Sequence, residues 1–427
     1  MRISNVHRIV FTFLLIAVIL AACAEGPAQA SEAKSDLERD ESPSAAPQDV
    51  QQVAAGNHAF AFDLYQALAD GEGNLFFSPH SISVALAMTF AGARTTTEEE
   101  MADTLHFLLP QDQLHPAFNA LDLELASREE GFEDDEAGFQ LNIANTIWGQ
   151  EGYEFLQEFL DTLALNYGAG LQLLDFMEDP ETARIIINDW VSEQTEGRIE
   201  DLIPQGVIDA ATRLVLTNAI YFKAQWMEQF EESNTVDGPF HLLDGSEVTV
   251  PLMSQEEGFP YAEGDGYQAI ELPYVGGQTS MVILLPEEGR FEEFESALSV
   301  EQVAEIIGSM QFESLILTMP KFEFESDFSL SKTLAEMGMP TAFGFDADFS
   351  GMNGKRDLYI SDVVHKAFVL VDEEGTEAAA ATAVIVAEMG AIIPEIEMKI
   401  DRPFIFMIRD IETDSILFLG RVLNPAE

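Results

Sequence analysis

Cysteine occurs once in the 427 residues, at Cys23. An intrachain disulfide is therefore excluded, and so is a metal centre built from several thiolates. Basic residues are nearly as scarce: 7 lysines and 13 arginines face 76 acidic residues, for a formal charge of -56. So negative a chain repels polyanions, which removes DNA and RNA as partners. A lysine-poor, acidic surface stays hydrated in concentrated salt, where repulsion is screened, but is equally ordinary for an acidic secreted protein. Enzyme signatures are missing as well. There is no G-x-S-x-G nucleophile turn, no H-E-x-x-H pair among the seven scattered histidines, and no phosphate-cradling glycine motif. The sequence gives no support to catalysis, a cofactor or a metal. Acidic pairs are abundant, but at this composition they read as solvated surface.

What is present begins with an address. Arg2 and Arg8 precede the uncharged run Ile9 to Leu20, and Leu20-Ala21-Ala22-Cys23 follows. The run is short for a bilayer span and fits a signal peptide over residues 1–22. Leu-Ala-Ala-Cys resembles a prokaryotic lipobox, which implies lipidation of Cys23 and an extracytoplasmic protein that meets the membrane through its anchor only. Residues 23–51 are rich in Ala, Ser, Pro, Glu and Asp and read as a disordered tether.

From residue 52 to 427 no repeat or second linker interrupts the chain, and 47% of the whole sequence is apolar, enough for one large domain. Helical spacing marks His58 to Leu68, Ser81 to Phe90, Glu98 to Leu105, Gln113 to Ser127, Tyr153 to Leu163, Glu181 to Glu193, Val300 to Met310 and Leu330 to Met337. Strand-like runs rich in β-branched and aromatic residues include Leu141 to Trp148, Arg213 to Phe222, Gln268 to Leu272, Met281 to Leu285, Leu315 to Met319, Val363 to Val371, Phe404 to Ile408 and Ile416 to Val422. Helices mostly early and strands mostly late predict an α+β fold with largely antiparallel sheets.

One segment has two conformational readings. After the strand pattern Val363 to Val371 comes a charged break, Asp372-Glu373-Glu374-Gly375, and then Thr376-Glu377-Ala378-Ala379-Ala380-Ala381-Thr382. Laid out as a strand, Thr376, Ala378, Ala380, Thr382, Val384 and Val386 share one uncharged face that could enter a sheet. The same stretch is also a good local helix. A segment tolerable in solution yet patterned for a sheet suits a switch by strand insertion.

At this point the sequence resembles the serpin family. The resemblance runs from about Ala59 to Pro425, and Glu373 to Thr382 is similar to the hinge of inhibitory members at every position. Further matches are Phe77-Ser78-Pro79-His80-Ser81-Ile82, Leu141 to Trp148, Asn188-Asp-Trp-Val191 with Thr195 and Gly197, Thr217 to Trp226, Met398 to Ile408, and Ile416 to Pro425. The resemblance implies about eight to nine helices, three sheets and an exposed reactive loop, in a monomer without cofactor or metal. It places Ser78, Ser81, Asn218 and His365 under the centre of the main sheet, and Trp226, Lys321 and Glu373 where insertion begins. It implies inhibition of a serine protease by suicide cleavage of the loop, a covalent acyl-enzyme and loop insertion, with a non-inhibitory binding protein of the same fold as the alternative. Counting fourteen positions from Gly375 puts the reactive bond at Met389-Gly390. An apolar residue there suits chymotrypsin-, elastase- or subtilisin-like enzymes. The stretch between Met389 and Pro403 looks a few residues longer than is common in the family, so Glu388, Ala391 and Ile392 stay open as alternatives.

Overall fold

The computed structural model describes residues 30–129, 140–376 and 396–427. The signal peptide, Cys23, the reactive bond Met389-Gly390 and hinge residues Glu377, Ala378, Ala379, Ala380, Ala381 and Thr382 lie outside the described residues.

In chain order the strands are β1 (Ser31–Ala33), β2 (Leu75–Phe77), β3 (Gln140–Gln150), β4 (Leu171–Leu174), β5 (Leu214–Gln225), β6 (Val236–His241), β7 (Glu247–Gly264), β8 (Tyr267–Pro273), β9 (Thr279–Pro286), β10 (Gln311–Pro320), β11 (Phe322–Ser329), β12 (Ile360–Val371), β13 (Gly375–Thr376), β14 (Ile396–Lys399), β15 (Phe404–Asp410) and β16 (Ser415–Val422). The first six helices are α1 (Pro47–Ala69), α2 (Pro79–Phe90), α3 (Thr95–Thr104), α4 (Gln111–Ala126), α5 (Gln157–Tyr167) and α6 (Pro180–Gln194), and four of at most ten residues follow among the described residues.

Seven strands form one sheet in the order β1-β4-β3-β5-β13-β12-β11. The other nine are joined through β14-β10-β7-β8-β9-β15-β16-β2, with β6 on β7. The expected three sheets are recognisable in this pair because the 18-residue β7 serves two of them: its first residues pair with β6, its middle with β10 and its end with β8. Helix α2 lies beneath the seven-stranded sheet and is wholly buried. Its start follows from local chemistry: Ser78 Oγ accepts the Ser81 N–H at 3.2 Å, and Pro79 occupies the first turn, where it forgoes no helical hydrogen bond.

The expectation of a disordered tether over residues 23–51 is corrected for 30–51. β1 pairs antiparallel with β4 at the sheet edge. Ser35 Oγ then donates to Asp161 on α5, and Arg39 Nε donates to Asn119 Oδ1 on α4 at 2.8 Å. Arg39 also pairs with Asp122, and the Asp40 N–H reaches the Leu165 carbonyl at 2.9 Å. Helix α1 starts at Pro47, eleven residues before the periodicity suggested. Composition misled because this strap is held by backbone pairing and polar contacts, which need no large apolar side chains.

Candidate functional site

In the seven-stranded sheet, β5 and β12 run parallel and pair directly from Leu214 with Ile360 to Ile220 with Ala367. Beyond that they part, and β13 sits between them. Thr376 pairs antiparallel with Ala224 on one side and with Val371 on the other, while Gly375 pairs with Gln225. A new strand has thus already begun at one end of the seam. Gly375 is required there: a Cβ would lie 2.1 Å from the Ala224 carbonyl oxygen, inside any tolerable contact.

The residues around this start hold the hinge firmly. Trp226 donates its Nε1–H to the Asp372 carbonyl at 3.0 Å and its backbone N–H to the Glu374 carbonyl at 2.9 Å. Its indole stacks on Tyr274 with centroids 4.7 Å apart and planes 8° from parallel. The Tyr274 hydroxyl and Thr376 Oγ1 are 2.7 Å apart, so the first inward-facing residue of the hinge is buried and hydrogen-bonded before any cleavage. Lys321 Nζ meets the Glu373 carboxylate at 2.5 Å, and Thr235 Oγ1 donates to the same carboxylate at 2.7 Å. The Glu373 side chain is 8% exposed and that of Lys321 36%, so solvent screens the pair only on one side. Burial works against the charged form of Glu373, but the bonds from Lys321 and Thr235 outweigh it and hold the carboxyl below its usual range.

Two rows inside the closed part of the seam lies a polar cluster. His365 and Asn218 face each other across β12 and β5, and the ring Nδ1 is hydrogen-bonded to Asn218 Oδ1. His365 Nε2 accepts the Ser78 N–H at 3.2 Å, which leaves the proton on Nδ1 for donation to Asn218. Ser78 Oγ donates to the Leu417 carbonyl at 2.6 Å, and Asn218 Nδ2 donates to Ser81 Oγ. All four residues expected beneath the sheet centre are therefore joined in one network. Sequence reasoning missed a fifth, Asn145 on β3. Its Oδ1 accepts from Ser81 Oγ at 3.1 Å and from Asn218, and its Nδ2 donates to the Ser81 carbonyl. The signal was available as a second amide inside the matched Leu141 to Trp148 run.

Complete burial pushes the His365 imidazole down to about 3, against the opposing bond to Asn218. His115, buried near Tyr167, is pushed down to about 4, first by burial and then by Arg94. The native protein therefore keeps these rings neutral where the unfolded chain, protonating near 6.5, does not. Stability is complete above about pH 6.5 and falls as pH drops toward 3. Guanidinium titrations at pH 7.5, 6 and 5 are expected to show this fall, with a shallower slope for His365→Gln. An equal slope in the variant would remove His365 from the account. At the hinge, Lys321→Ala leaves a mostly buried carboxylate with Thr235 alone. We expect a loss of roughly 1–3 kcal/mol in denaturation midpoint analysis, between an exposed and a buried pair.

The comparisons agree with this geometry. A family model described as Serpin (serine protease inhibitor) matches residues 55–425. An uncharacterised serpin-like protein of Thermococcus kodakarensis is 44% identical over 373 residues, covering 87% of this chain and 85% of that one. Leukocyte elastase inhibitor A of Mus musculus is 41% identical over 392 residues, covering 88% of this chain and all of that one. Among solved structures, human thyroxine-binding globulin complexed with its hormone superposes with a TM-score of 0.79 at 32% identity, covering 89% of this chain and 100% of that one. With a family model spanning most of the chain, and the hinge and the polar cluster assembled in one sheet, this chain belongs to the serpin family.

Proposed function

We propose that the protein inhibits a serine endopeptidase by the insertion route, with Met389-Gly390 as the bait bond. The observation that carries this reading is the strand already begun at Gly375–Thr376. It is antiparallel to both neighbours, so each further residue would exchange one row of parallel seam for two antiparallel ladders.

The register of that start fixes where the rest would go. Thr376 lies opposite Ala224 and Val371, so six residues on, Thr382 would enter the row of Asn218 and His365. Thr382 shares the inward face with Thr376, and its hydroxyl would arrive where the two side chains now bond each other. Thirteen residues on, Met389 would pass Leu214, the first residue of β5, and emerge at the far end of the sheet. That is about 43 Å from Thr376 at 3.3 Å per residue.

In the attack, a protease serine Oγ adds to the Met389 carbonyl carbon. The Met389–Gly390 C–N bond breaks, the Gly390 amine leaves with a proton from the protease histidine, and an ester joins the two proteins. The freed loop inserts and carries the ester with it. Inhibition requires insertion to outrun hydrolysis, and a native state held above a more stable inserted one drives it. The chain itself turns nothing over in this scheme and uses no cofactor or metal. A carrier role like that named for the thyroxine-binding relative is the weaker reading, since the small hinge residues and the seated Thr376 serve insertion and not ligand binding. We also propose that Cys23 carries lipid and holds the protein outside the cytoplasm.

Incubation with a panel of chymotrypsin-, elastase- and subtilisin-like proteases is expected to give a covalent complex on a denaturing gel, and the released fragment should begin at Gly390. Met389→Arg should shift preference to trypsin-like enzymes; an unchanged preference would move the bait bond. Because Thr376 is already buried, insertion is better tested deeper in the loop. Ala380→Arg places a guanidinium on the inward face, where an unpaired charge costs several kcal/mol. It should leave cleavage at the same bond and turn inhibitor into substrate. Undiminished trapping by Ala380→Arg would end the insertion reading. Cys23→Ser should release the protein from membranes.

A further inference from the structure

The corrected tether changes what the anchor can do. Read as disorder to residue 51, the segment would be a leash reaching about 100 Å when extended, at 3.6 Å per residue. The strap ends that freedom at Ser31, which pairs with Leu173. Eight residues separate it from Cys23, so the lipid cannot lie farther than about 29 Å from the sheet edge.

The register also says which end of the sheet is held. Leu173 lies beside Gly149, and Gly149 beside Leu214, so Ser31 sits in the row of the first residue of β5. Thr376 sits opposite Ala224, ten residues further along β5 and about 33 Å away. Going back from Ala33 to Ser31 the partners run from Leu171 to Leu173, which is the direction leading away from Thr376. The described chain leaves off beside the hinge, where Glu373 binds Lys321, and resumes in β14, which runs from Ile396 opposite Leu315 to Lys399 opposite Thr318, three residues before that lysine. Glu151, Asp175 and Asp179 line the groove beside Ser31, so the held end is acidic and does not settle onto an anionic bilayer.

We infer that the lipid suspends the domain by the end of the insertion sheet opposite the hinge, on a leash of at most about 29 Å. The hinge end then faces the medium, and the partner is a serine protease arriving from the aqueous side, not one whose cleft lies in the plane of the membrane. This rests on the lipidation and inhibitory readings above.

Because the single native cysteine is consumed by lipid, an added cysteine can be labelled alone. Lipidated full-length protein carrying Glu178→Cys, near the held end, or Glu232→Cys, near the hinge, is bound to vesicles of phosphatidylcholine and phosphatidylglycerol with acceptor-labelled headgroups. Energy transfer should be strong from position 178 and weak from 232, and twenty Gly/Ser residues inserted after Gln29 should weaken transfer from 178. Equal or reversed transfer would overturn the suspended arrangement. A soluble subtilisin-like protease should be trapped by vesicle-bound protein within about twofold of the rate for Cys23→Ser protein in solution; a tenfold deficit would also overturn it. Absence of vesicle binding with trapping intact would sink the lipid anchor, and this arrangement with it, while leaving the inhibitory reading standing.

Discussion

The parallel seam between β5 and β12 is the contact on which the rest of the molecule turns. It is one ladder in the centre of a seven-stranded sheet, and parallel pairing is slightly weaker per residue than the antiparallel pairing on either side. At one end it is already split by β13, and the split is stable only because Gly375 lets the backbone pass against Ala224. Trp226, Tyr274, Thr235 and Lys321 each bind one part of the hinge, so the start of the wedge at Gly375 and Thr376 is held in place. These hinge contacts set how tightly the first two residues of the new strand are seated.

Below the wedge the seam carries a buried polar cluster at Asn218 and His365, among rows that are otherwise largely aliphatic. An apolar patch would have to open a void as the strands part, whereas Ser78, Ser81, Asn145, Asn218 and His365 can exchange hydrogen-bond partners. Keeping such a cluster buried demands that its members be satisfied, and their contacts do this with one defined histidine tautomer. The few arginines serve a different end. Arg128 with Asp410, Arg421 with Glu295 and Arg409 with Glu271 form mostly buried pairs at 2.7–3.0 Å, away from the seam. Each pair takes one carboxylate inside with one guanidinium, so the surface keeps the net negative charge of the composition with fewer cations on it.

The eight periodic helices and eight strand runs found in the sequence all correspond to elements, because their apolar patterns record burial, of one face in elements such as α1 and of the whole element in α2, β9 and β16. What was not legible had no such face. β1 and β13 are three and two residues long, β4 is four, and all owe their existence to a neighbour's unpaired edge. β11 alternates phenylalanine with acid over Phe322 to Glu325, an edge-strand pattern that was open to reading and was passed over. At the site, family resemblance supplied Ser78, Ser81, Asn218, His365, Trp226, Lys321 and Glu373, and the fold brings them into two clusters. Tyr274 and Thr235 escaped notice because they matter only through what they touch, which spacing along the chain does not encode. That Thr376 is seated before cleavage was equally invisible, since its residue type serves a free or an inserted hinge alike.

The order of strands also determines what must move. In the proposed insertion, a strand entering between β5 and β12 would divide the sheet into a block of β1, β4, β3 and β5 and a pair, β12 and β11. The larger block is tied to α6 through a second core, where Trp148 meets Trp190 edge-on at 5.5 Å, and to α4 and α5 through the strap at Ser35 and Arg39. The smaller one packs its Phe322 against Phe404 and Phe406 of the other sheet. Since close-packed interiors shift as units and do not stretch, opening the seam means sliding one packed block against the other. The contacts that resist that slide then lie at the edges of the blocks, in the strap and over α6, as much as in the seam where the new strand arrives.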